Sequence, residues 1–463
     1  MNNNLILNTD SYKVSHYLQY PPGTQYVTSY IEARGSDDPD LQEAVYFGLQ
    51  AFIKEYLLHP FSLDEVYEAK DVLESHGEPF NLEDWLYIYH KYDGLLPLSI
   101  ESIPEGSVVP LSVPMVQVRN TDPEVPWLTS YIETSLLRSI WYPTTVATIS
   151  HAIKRELFKF AIESGSDLNG IDFKLHDFGA RGVSSYESAM LGGMGHLLNF
   201  KGTDNVAALV GARRYYNEPM AGYSIPAAEH STITSWGEDK EVEAYRNMLQ
   251  QFGGENKLVS VVSDSYDIYN AVDNIWGDKL KDEVLNMGGT VVVRPDSGDP
   301  LTVPLDIIEL LMDKYGYETN DKGYRTLPPQ IRVIQGDGIN KESIKQILVN
   351  MRKRKLTLDN IAFGMGGALL QQLNRDTLKF AMKANSINID GKEYDVYKRP
   401  VTDSGKSSKA GIQNVIRDSH DKWQVGRRGS IIGSNQLTEV YRDGKLMLEE
   451  SFEKIRKRVI KGY

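Results

Sequence analysis

The 463-residue sequence contains no cysteine, which excludes disulfides, thiolate catalysis and cysteine-ligated zinc. It also lacks any apolar run approaching the roughly 20 residues that a membrane-spanning helix needs. The first residues, Met1–Asn8, have neither the basic segment nor the long apolar segment of a secretory signal. These absences predict a soluble, cytoplasmic protein.

Positive charge is also in short supply, with 50 Lys and Arg against 63 Asp and Glu and a net charge of −13. This balance argues against a general binder of nucleic acid or of anionic membranes. If the ligand is an anion, its site must be locally basic. The hydrophobic content of 41% is ample for a core. The length favours two domains and leaves room for one of them to be a barrel of roughly 250 residues.

One pattern recurs along the second half of the chain: a β-branched apolar run that breaks into charged residues and glycine. In Thr290–Asp299, the run TVVV is followed by RPDSGD. An uninterrupted apolar run is typical of a strand buried on both faces. The same pattern occurs in Lys174–Gly179, Leu258–Asp264, Ile331–Gly338 and Asn360–Gly367.

Amphipathic helical patterns separate these predicted strands. Their apolar residues recur at helical spacing, with Pro304 near one helix start and Asn340 as a possible N-cap of another. The three predicted apolar faces are Ile268/Val272/Ile275/Trp276, Ile308/Leu311/Met312/Tyr315 and Ile344/Ile347/Leu348/Met351. Alternating strands and helices indicate parallel βα units, and we favour a βα barrel. An open doubly wound sheet would place its polar residues at the same strand ends.

The remaining sequence predicts a second α/β, strand-rich domain built from both chain ends. The expected division is 1–145, 146–385 and 386–463, with the last part returning to the first. We expect helices over Glu43–Leu58 and Leu369–Ala384. The turn signals in Ile387–Val396 and Tyr441–Lys445 indicate β-hairpins.

The residues at the predicted strand ends combine carboxylates, glycines and a few arginines. Glycine turns at helix starts can wrap a phosphate with N–H groups, and carboxylates beside them suit ribose hydroxyls and Mg²⁺. A single such turn is more often only a turn or a cap, but the whole series favours a phosphorylated sugar bound with magnesium. The set is Asp177, Arg181, Asp264, Arg294, Asp296, Gly336, Asp337, Gly366 and Gly367.

Seven motifs taken together resemble the nicotinamide phosphoribosyltransferase family, whose fold is the type II phosphoribosyltransferase one. The resemblance runs along nearly the whole chain, and the number of motifs in order makes chance a poor explanation. The motifs are Thr9–His16, His176–Gly182, Phe200–Asp204, Pro226–Gly237, Val262–Asp267, Arg294–Gly298 and Gln335–Gly338.

The reaction that this resemblance implies joins nicotinamide to phosphoribosyl pyrophosphate, giving nicotinamide mononucleotide and pyrophosphate in NAD salvage. It also implies a homodimer with active sites at the subunit interface. By the same resemblance, Phe178 and the other subunit's Tyr12 stack on the pyridine ring. Arg294 and Arg181 line the pocket, and Asp204 accepts a hydrogen bond from the carboxamide while repelling nicotinate.

For phosphoribosyl pyrophosphate, the resemblance assigns the ribose to Asp296, Gly336 and Asp337, and the 5′-phosphate to Gly366 and Gly367. Asp264 and Asp296 are the implied Mg²⁺-side carboxylates. The basic group around the pyrophosphate is Arg34, Arg375, Lys383 and Lys406.

His230 matches the family histidine that ATP phosphorylates, so ATP is the implied co-substrate. Asp10 and Glu229 are positioned in the motifs to support it. A histidine taken alone is more often structural. Two alternatives stay open: a nicotinate phosphoribosyltransferase, which Asp204 argues against, and a non-catalytic pyridine- or phosphoribosyl-binding relative. The second predicts losses among His230, Asp296 and Lys383, yet all three are present.

Overall fold

The computed structural model describes residues 4–402 and 407–461. Its strands are β1 Thr24–Ala33, β2 Glu43–Val45, β3 Leu98–Ser102, β4 Val108–Pro110, β5 Val116–Asn120, β6 Leu175–Asp177, β7 Gly202–Thr203, β8 Leu258–Val262, β9 Thr290–Arg294, β10 Glu318–Thr319, β11 Arg325–Thr326, β12 Ile331–Gln335, β13 Ile361–Met365, β14 Phe380–Ile389, β15 Lys392–Asp395, β16 Gln413–Arg417, β17 Trp423–Arg427, β18 Thr438–Arg442 and β19 Lys445–Leu446.

The α-helices are α1 Leu49–Phe52, α2 Leu63–His76, α3 Leu82–Tyr92, α4 Leu128–Tyr131, α5 Glu133–Ser164, α6 Tyr186–Leu197, α7 Val206–Tyr216, α8 His230–Thr234, α9 Glu241–Phe252, α10 Ile268–Asn270, α11 Lys281–Asn286, α12 Val303–Tyr315, α13 Lys341–Arg354, α14 Gly367–Leu370 and α15 Phe452–Ile460. Short 3₁₀ helices cover Leu5–Leu7, Ser11–Leu18, Leu168–Phe173, Ala180–Gly182, Glu238–Lys240 and Leu358–Asn360, and π-helical turns cover Ile53–Leu57 and Ala271–Lys279.

The chain divides into two compact units. Unit 1 comprises Met1–Thr148, Gly211–Pro219 and Leu373–Tyr463, and unit 2 comprises Ile149–Val210 and Met220–Gln372. The domain limits inferred from the sequence stay a prediction. Within the described ranges, no helix combines the length and apolar character that crossing a membrane requires.

Unit 1 is organised around an antiparallel sheet in the order β15-β14-β1-β5-β3-β18-β19. Its long pair, β1 with β14, joins residues from the two ends of the sequence. Both predicted hairpins are confirmed, as β14–β15 and as β18–β19. The expectation of a strand-rich region drawn from both chain ends is confirmed within this unit.

Two predicted helices in this region are only partly correct: the first is helical over residues 49–57, and the second only at its start. Glu43–Leu58 begins as the strand β2 and turns at Gly48, whose φ of 114° ends the extended segment before α1. Leu369–Ala384 is helical only through Leu370, and from Phe380 onward it forms β14. Pairing with β1 overrides the local helical pattern, because nine residues of β14 gain a paired neighbour in β1.

Unit 2 is built on a parallel sheet in the order β7-β6-β13-β12-β9-β8. Its two edge strands are linked by a short extended segment: Tyr223 bridges to Gly202 of β7, and Ala227 bridges to Ser260 of β8. These bridges close the sheet into a ring, which supports the barrel over the open alternative. The residues of the three predicted helix faces are buried, except for Tyr315, which is partly exposed.

Candidate active site

The carboxyl ends of the parallel strands meet at one edge of the unit 2 sheet. Every strand-end residue predicted in unit 2 lies on this edge or in the loop that follows its strand. The helix α8, which begins at His230, follows the closing segment onto the same edge. Parallel pairing of the strands thus brings together motifs that lie up to about 190 residues apart in sequence, from Phe178 to Gly367.

The ring of Phe178 forms an apolar wall over the ends of β12 and β13. Its backbone N–H donates to the carbonyl of Met365 at 3.0 Å, which anchors the turn. A Cβ added to Gly364 would lie 2.0 Å from Phe178 Cε2, and one added to Gly336 would lie 3.5 Å from the same atom. The glycine at 364 is therefore required to seat the ring, which offers a flat surface for stacking.

Asp204 follows β7 and has an exposed side chain. Its N–H donates to the carbonyl of Asp177 at 3.0 Å. The hydroxyl of Ser224 donates to Asp204 Oδ1 at 2.5 Å and so restrains the carboxylate. Ser224 was not predicted, because its partner lies 20 residues earlier.

His230 and Asp264 form a hydrogen-bonded pair with 3.0 Å between Nε2 and Oδ1. The histidine side chain is 47% exposed, whereas Asp264 is only 5% exposed, so the carboxylate is the fixed partner. Glu229, which the sequence suggested as a support, instead accepts a hydrogen bond from Ser231. Asp264 is therefore the residue that orients His230.

Asp296 lies among groups of both signs. Burial raises its pKa, Arg294 and His230 lower it, and Asp264 and Asp337 raise it further. Arg294 Nη2 lies 3.4 Å from Asp296 Oδ2, a loose ion pair. Among the described residues, the buried Nε of Arg294 finds no hydrogen-bond partner. A buried donor left without a partner is costly and marks a place where a ligand atom would be favourable.

The glycines at the ends of β12 and β13 keep the backbone accessible. Gly367 begins the short helix α14, and a Cβ added there would meet no atom within 4 Å. Gly182, in the turn that carries Arg181, lies close to Gly367: a Cβ added to Gly182 would lie 3.3 Å from the Cα of Gly367. Arg181 itself is exposed. This open backbone suits a phosphate group.

The predicted residues of the N- and C-terminal segments lie in unit 1. Asp10 accepts a hydrogen bond from Thr134 at 2.6 Å, and Tyr12 is 58% exposed. Burial lowers the pKa of Lys383, Glu133 raises it, and Arg34, Lys398 and Arg375 lower it. Two other predicted basic residues, Arg34 and Arg375, thus lie near Lys383, together with Lys398, which was not predicted. Lys406 lies outside the described residues.

The edge of this parallel barrel carries an aromatic wall, carboxylates and glycine-rich turns, and its fold is the type II phosphoribosyltransferase one. The solved structures agree in fold. Nicotinate-nucleotide pyrophosphorylase from Pyrococcus furiosus aligns over 100% of this chain and 96% of its own, with TM-score 0.63 and 16% identity. Human nicotinic acid phosphoribosyltransferase aligns over 98% and 93%, with TM-score 0.55 and 16% identity.

Sequence comparisons place the chain more narrowly. The nicotinate phosphoribosyltransferase family profile matches residues 173–445, and the profile of the nicotinamide phosphoribosyltransferase N-terminal domain matches residues 4–100. Nicotinamide phosphoribosyltransferase of Xanthomonas campestris is 47% identical, covering 98% of this chain and 97% of the relative. That of Acinetobacter baylyi is 34% identical, with coverage of 97% and 96%. The chain belongs to the nicotinate phosphoribosyltransferase family of pentosyltransferases, and its curated relatives are the nicotinamide enzymes.

Proposed function

We propose that this enzyme joins nicotinamide to phosphoribosyl pyrophosphate, producing nicotinamide mononucleotide and pyrophosphate. The observation that carries the proposal is the pairing of the Phe178 wall with the Asp204 carboxylate on one barrel edge. The full-length similarity to nicotinamide enzymes supports it. Phe178 stacks on the pyridine ring, and Asp204 accepts from the carboxamide N–H while repelling the carboxylate of nicotinate.

The pyridine nitrogen is itself the nucleophile, so no protein base needs to remove a proton from it. The enzyme's contribution is to orient the two substrates and to stabilise the departing pyrophosphate and the developing positive charge at the ribose. Asp296 and the turns at Gly336 and Gly366 hold the phosphoribosyl group. Arg294, whose Nε has no hydrogen-bond partner among the described residues, is assigned to the substrate amide.

Magnesium fits the donor set in part. Asp264 and Asp296 offer hard carboxylate oxygens, and the pKa of Asp296 is raised by burial and by neighbouring carboxylates, which a cation would relieve. Among the described residues, however, these carboxylates do not bring three ligand atoms within 4.8 Å of one another. The protein would therefore supply few ligands, with phosphate oxygens and water completing the shell. When bound, the ion neutralises pyrophosphate charge.

ATP coupling is proposed through His230. With Nε2–H donating to Asp264, the lone pair lies on Nδ1. This nitrogen forms a bond to the γ-phosphorus of ATP as the bond to the bridging oxygen breaks, and ADP leaves. Asp264 stabilises the charge that develops on the ring. Asp10 is assigned a supporting role in this step.

The unit 1 residues take part through a homodimer in this proposal. The exposed ring of Tyr12 stacks on nicotinamide in the site of a second copy, and Arg34, Arg375, Lys383 and Lys406 contact the pyrophosphate there. The clustering of Arg34 and Arg375 with Lys383 supports a shared anion-binding role. This cluster supplies the local positive charge that a chain of net charge −13 requires. A cytoplasmic location completes the proposal.

The test is a product assay with phosphoribosyl pyrophosphate and Mg²⁺, using nicotinamide or nicotinate, with and without ATP. Product from nicotinamide alone, increased by ATP, supports substrate choice and coupling together. Product from nicotinate alone overturns the substrate, and product from neither favours a binding protein. His230→Ala should abolish the ATP stimulation; persistence of the stimulation would make His230 structural.

The role of Asp204 has its own variant. Asp204→Ala should raise the KM for nicotinamide and weaken discrimination against nicotinate, since both the acceptor and the repulsion are lost. Asp239→Ala, which removes an exposed carboxylate elsewhere in unit 2, is the control and should change neither. Unchanged discrimination in Asp204→Ala would contradict the assignment.

A further inference from the structure

Asp177 is a buried carboxylate that the proposed mechanism leaves unused. It ends β6, and neither it nor Asn205 exposes any surface, each being 0% exposed. Its Oδ1 accepts from the N–H of Gly179 at 2.7 Å, and its Oδ2 accepts from Asn205 Nδ2 at 2.9 Å. Its carbonyl accepts from the N–H of Asp204 at 3.0 Å. Asp177 thus links the loop that follows β6 to the loop that follows β7.

These hydrogen bonds fix the backbone on either side of Phe178 and at Asp204, the two residues proposed to bind nicotinamide. Phe178 lies between Asp177 and Gly179, so its backbone is tied at each side. Asp204 is tied at its own N–H and through its neighbour Asn205. The spacing between the stacking ring and the carboxamide acceptor therefore depends on the Asp177–Asn205 contact. Small displacements of groups that bind a rigid ring have large effects on affinity and rate.

The surroundings of Asn205 hold this contact in one arrangement. Its Nδ2 also donates to the carbonyl of Ala189 at 2.8 Å, so both amide hydrogens are used. A Cβ on Gly193 of α6 would lie 2.4 Å from Asn205 Nδ2 and 3.1 Å from Asp177 Oδ2. Glycine at 193 leaves the space that the pair occupies.

Packing alone is a poor explanation for this pair. Burial raises the pKa of Asp177 to about 6, Asn205 and Gly179 lower it, and Asp204 raises it. Its bonds go to neutral donors, so the charge is not compensated by a cation. Apolar residues would fill the same space without this penalty, which points to specificity of geometry as the reason for a polar pair.

We propose that Asp177 and Asn205 form a positioning pair that sets the distance between Phe178 and Asp204 and so determines nicotinamide affinity. The proposal rests on the proposed function for the identity of the base. Neither residue touches substrate. Their effect is on the KM for nicotinamide, with little effect on the KM for phosphoribosyl pyrophosphate, whose contacts lie on other loops.

A double-mutant cycle tests the pair. Asp177→Asn places two amide NH₂ groups face to face, and Asn205→Ala removes the link. Each should raise the KM for nicotinamide about 10-fold, the order of one hydrogen bond to a charged group. The double variant should also show about 10-fold, because both changes break one link. An increase near 100-fold would mean independent sites and would overturn the proposal.

The control is Asn360→Ala, at the opposite end of the sheet. Asn360 is also a fully buried asparagine, bonded to the backbone of Leu327, Arg325 and Thr357. It should lower Tm without changing the KM for nicotinamide. If Asn205→Ala behaves in the same way, the pair is merely structural and the proposal fails.

Asn205→Ala leaves the bond from Gly179 intact, so it decides the question even if Asp177→Asn does not fold. The proposed function can fail separately. Should the wild-type enzyme use nicotinate instead, the same cycle measures the KM for nicotinate, and non-additivity still supports a positioning pair.

Discussion

The two edges of the parallel sheet use charged residues in opposite ways. At the amino edge, Lys174 Nζ donates to the carbonyls of Leu358 and Ile361 at 2.8 and 3.0 Å. Arg332 Nη1 donates to the carbonyl of Leu327 at 3.1 Å. At the carboxyl edge, Arg294 has a buried Nε with no partner among the described residues.

The difference shows which perturbed groups serve the fold and which are available for function. Burial lowers the pKa of Lys174 to about 8. Yet its hydrogens are already used by backbone carbonyls, so it stabilises the start of the barrel. A perturbed pKa indicates direct contact with a ligand only where the group also has unused bonding capacity and access to that ligand.

The strongest test of the difference between the two edges substitutes one carboxylate at each edge. Asp296→Asn should lower kcat/KM by about 100-fold to 1,000-fold, the order seen when one preorganised charge is removed from an active site. Stability should not fall, because Asp264 and Asp337 repel Asp296. Asp359→Asn, a partly buried carboxylate at the amino edge, should leave kcat/KM unchanged. Similar losses in the two variants would remove the distinction between the edges.

The next effect is a pH dependence of stability from Lys174. Its pKa is about 8 in the folded protein and about 10.5 when unfolded, so between these values only the unfolded chain holds the proton. Stability from this group therefore rises by up to about 3 kcal/mol from pH 8 to pH 10.5, is lost again as pH falls from 10.5 to 8, and does not change further below pH 8.

Denaturant unfolding of the wild-type enzyme and Lys174→Met across this range measures the effect. The difference between the two free energies of unfolding at each pH isolates the contribution of Lys174, because the tyrosines and other lysines that titrate in this range are present in both proteins. A difference that is flat with pH would show that Lys174 keeps an ordinary pKa in the fold.

A smaller effect is expected from Ser224 at the carboxyl edge. Ser224→Ala removes the 2.5 Å hydrogen bond that restrains Asp204. The KM for nicotinamide should rise about 5-fold, as expected for one exposed hydrogen bond to a charged group. Ser224→Thr, which retains the hydroxyl, should restore most of the affinity. Equal KM values in all three proteins would exclude a role for this bond.

The smallest expected effect is on catalysis, from a substitution at the amino edge of the sheet. Lys174→Met should change kcat and both KM values less than about 2-fold per folded molecule, since the residue acts on the amino edge alone and distant sites are nearly additive. Steady-state kinetics at a temperature well below the variant's Tm measures this. A selective change in the KM for nicotinamide would show that the two edges are coupled.

The sequence pattern was sufficient for most of unit 2. Uninterrupted β-branched runs and helical spacing identified β8, β9, β12 and β13 and the buried faces of their helices, because these strands are apolar on both sides. The failures were the start of Glu43–Leu58 and the end of Leu369–Ala384, where the local pattern favoured helix but the chain pairs as strands β2 and β14. The closing segment at Tyr223 and Ala227 was missed, since it makes only isolated bridges.

The residues of the candidate site likewise fall into those that the sequence indicated and those that it did not. Position after a buried strand was enough to select Asp264, Arg294 and Asp296, and the resemblance to a family added Asp204, His230 and the unit 1 residues. Neither source indicated Ser224, Asn205 or Gly364, whose importance comes from contacts with residues distant in sequence.

The sequence by itself determined the class of fold, the edge at which the candidate site lies and the kinds of groups placed there. This was possible because strand period and strand-end polarity are local properties. Only the tertiary structure decided which polar groups are satisfied and which remain available, as for Lys174 and Arg294. Hydrogen-bond satisfaction depends on partners from other parts of the chain, and no local pattern records it.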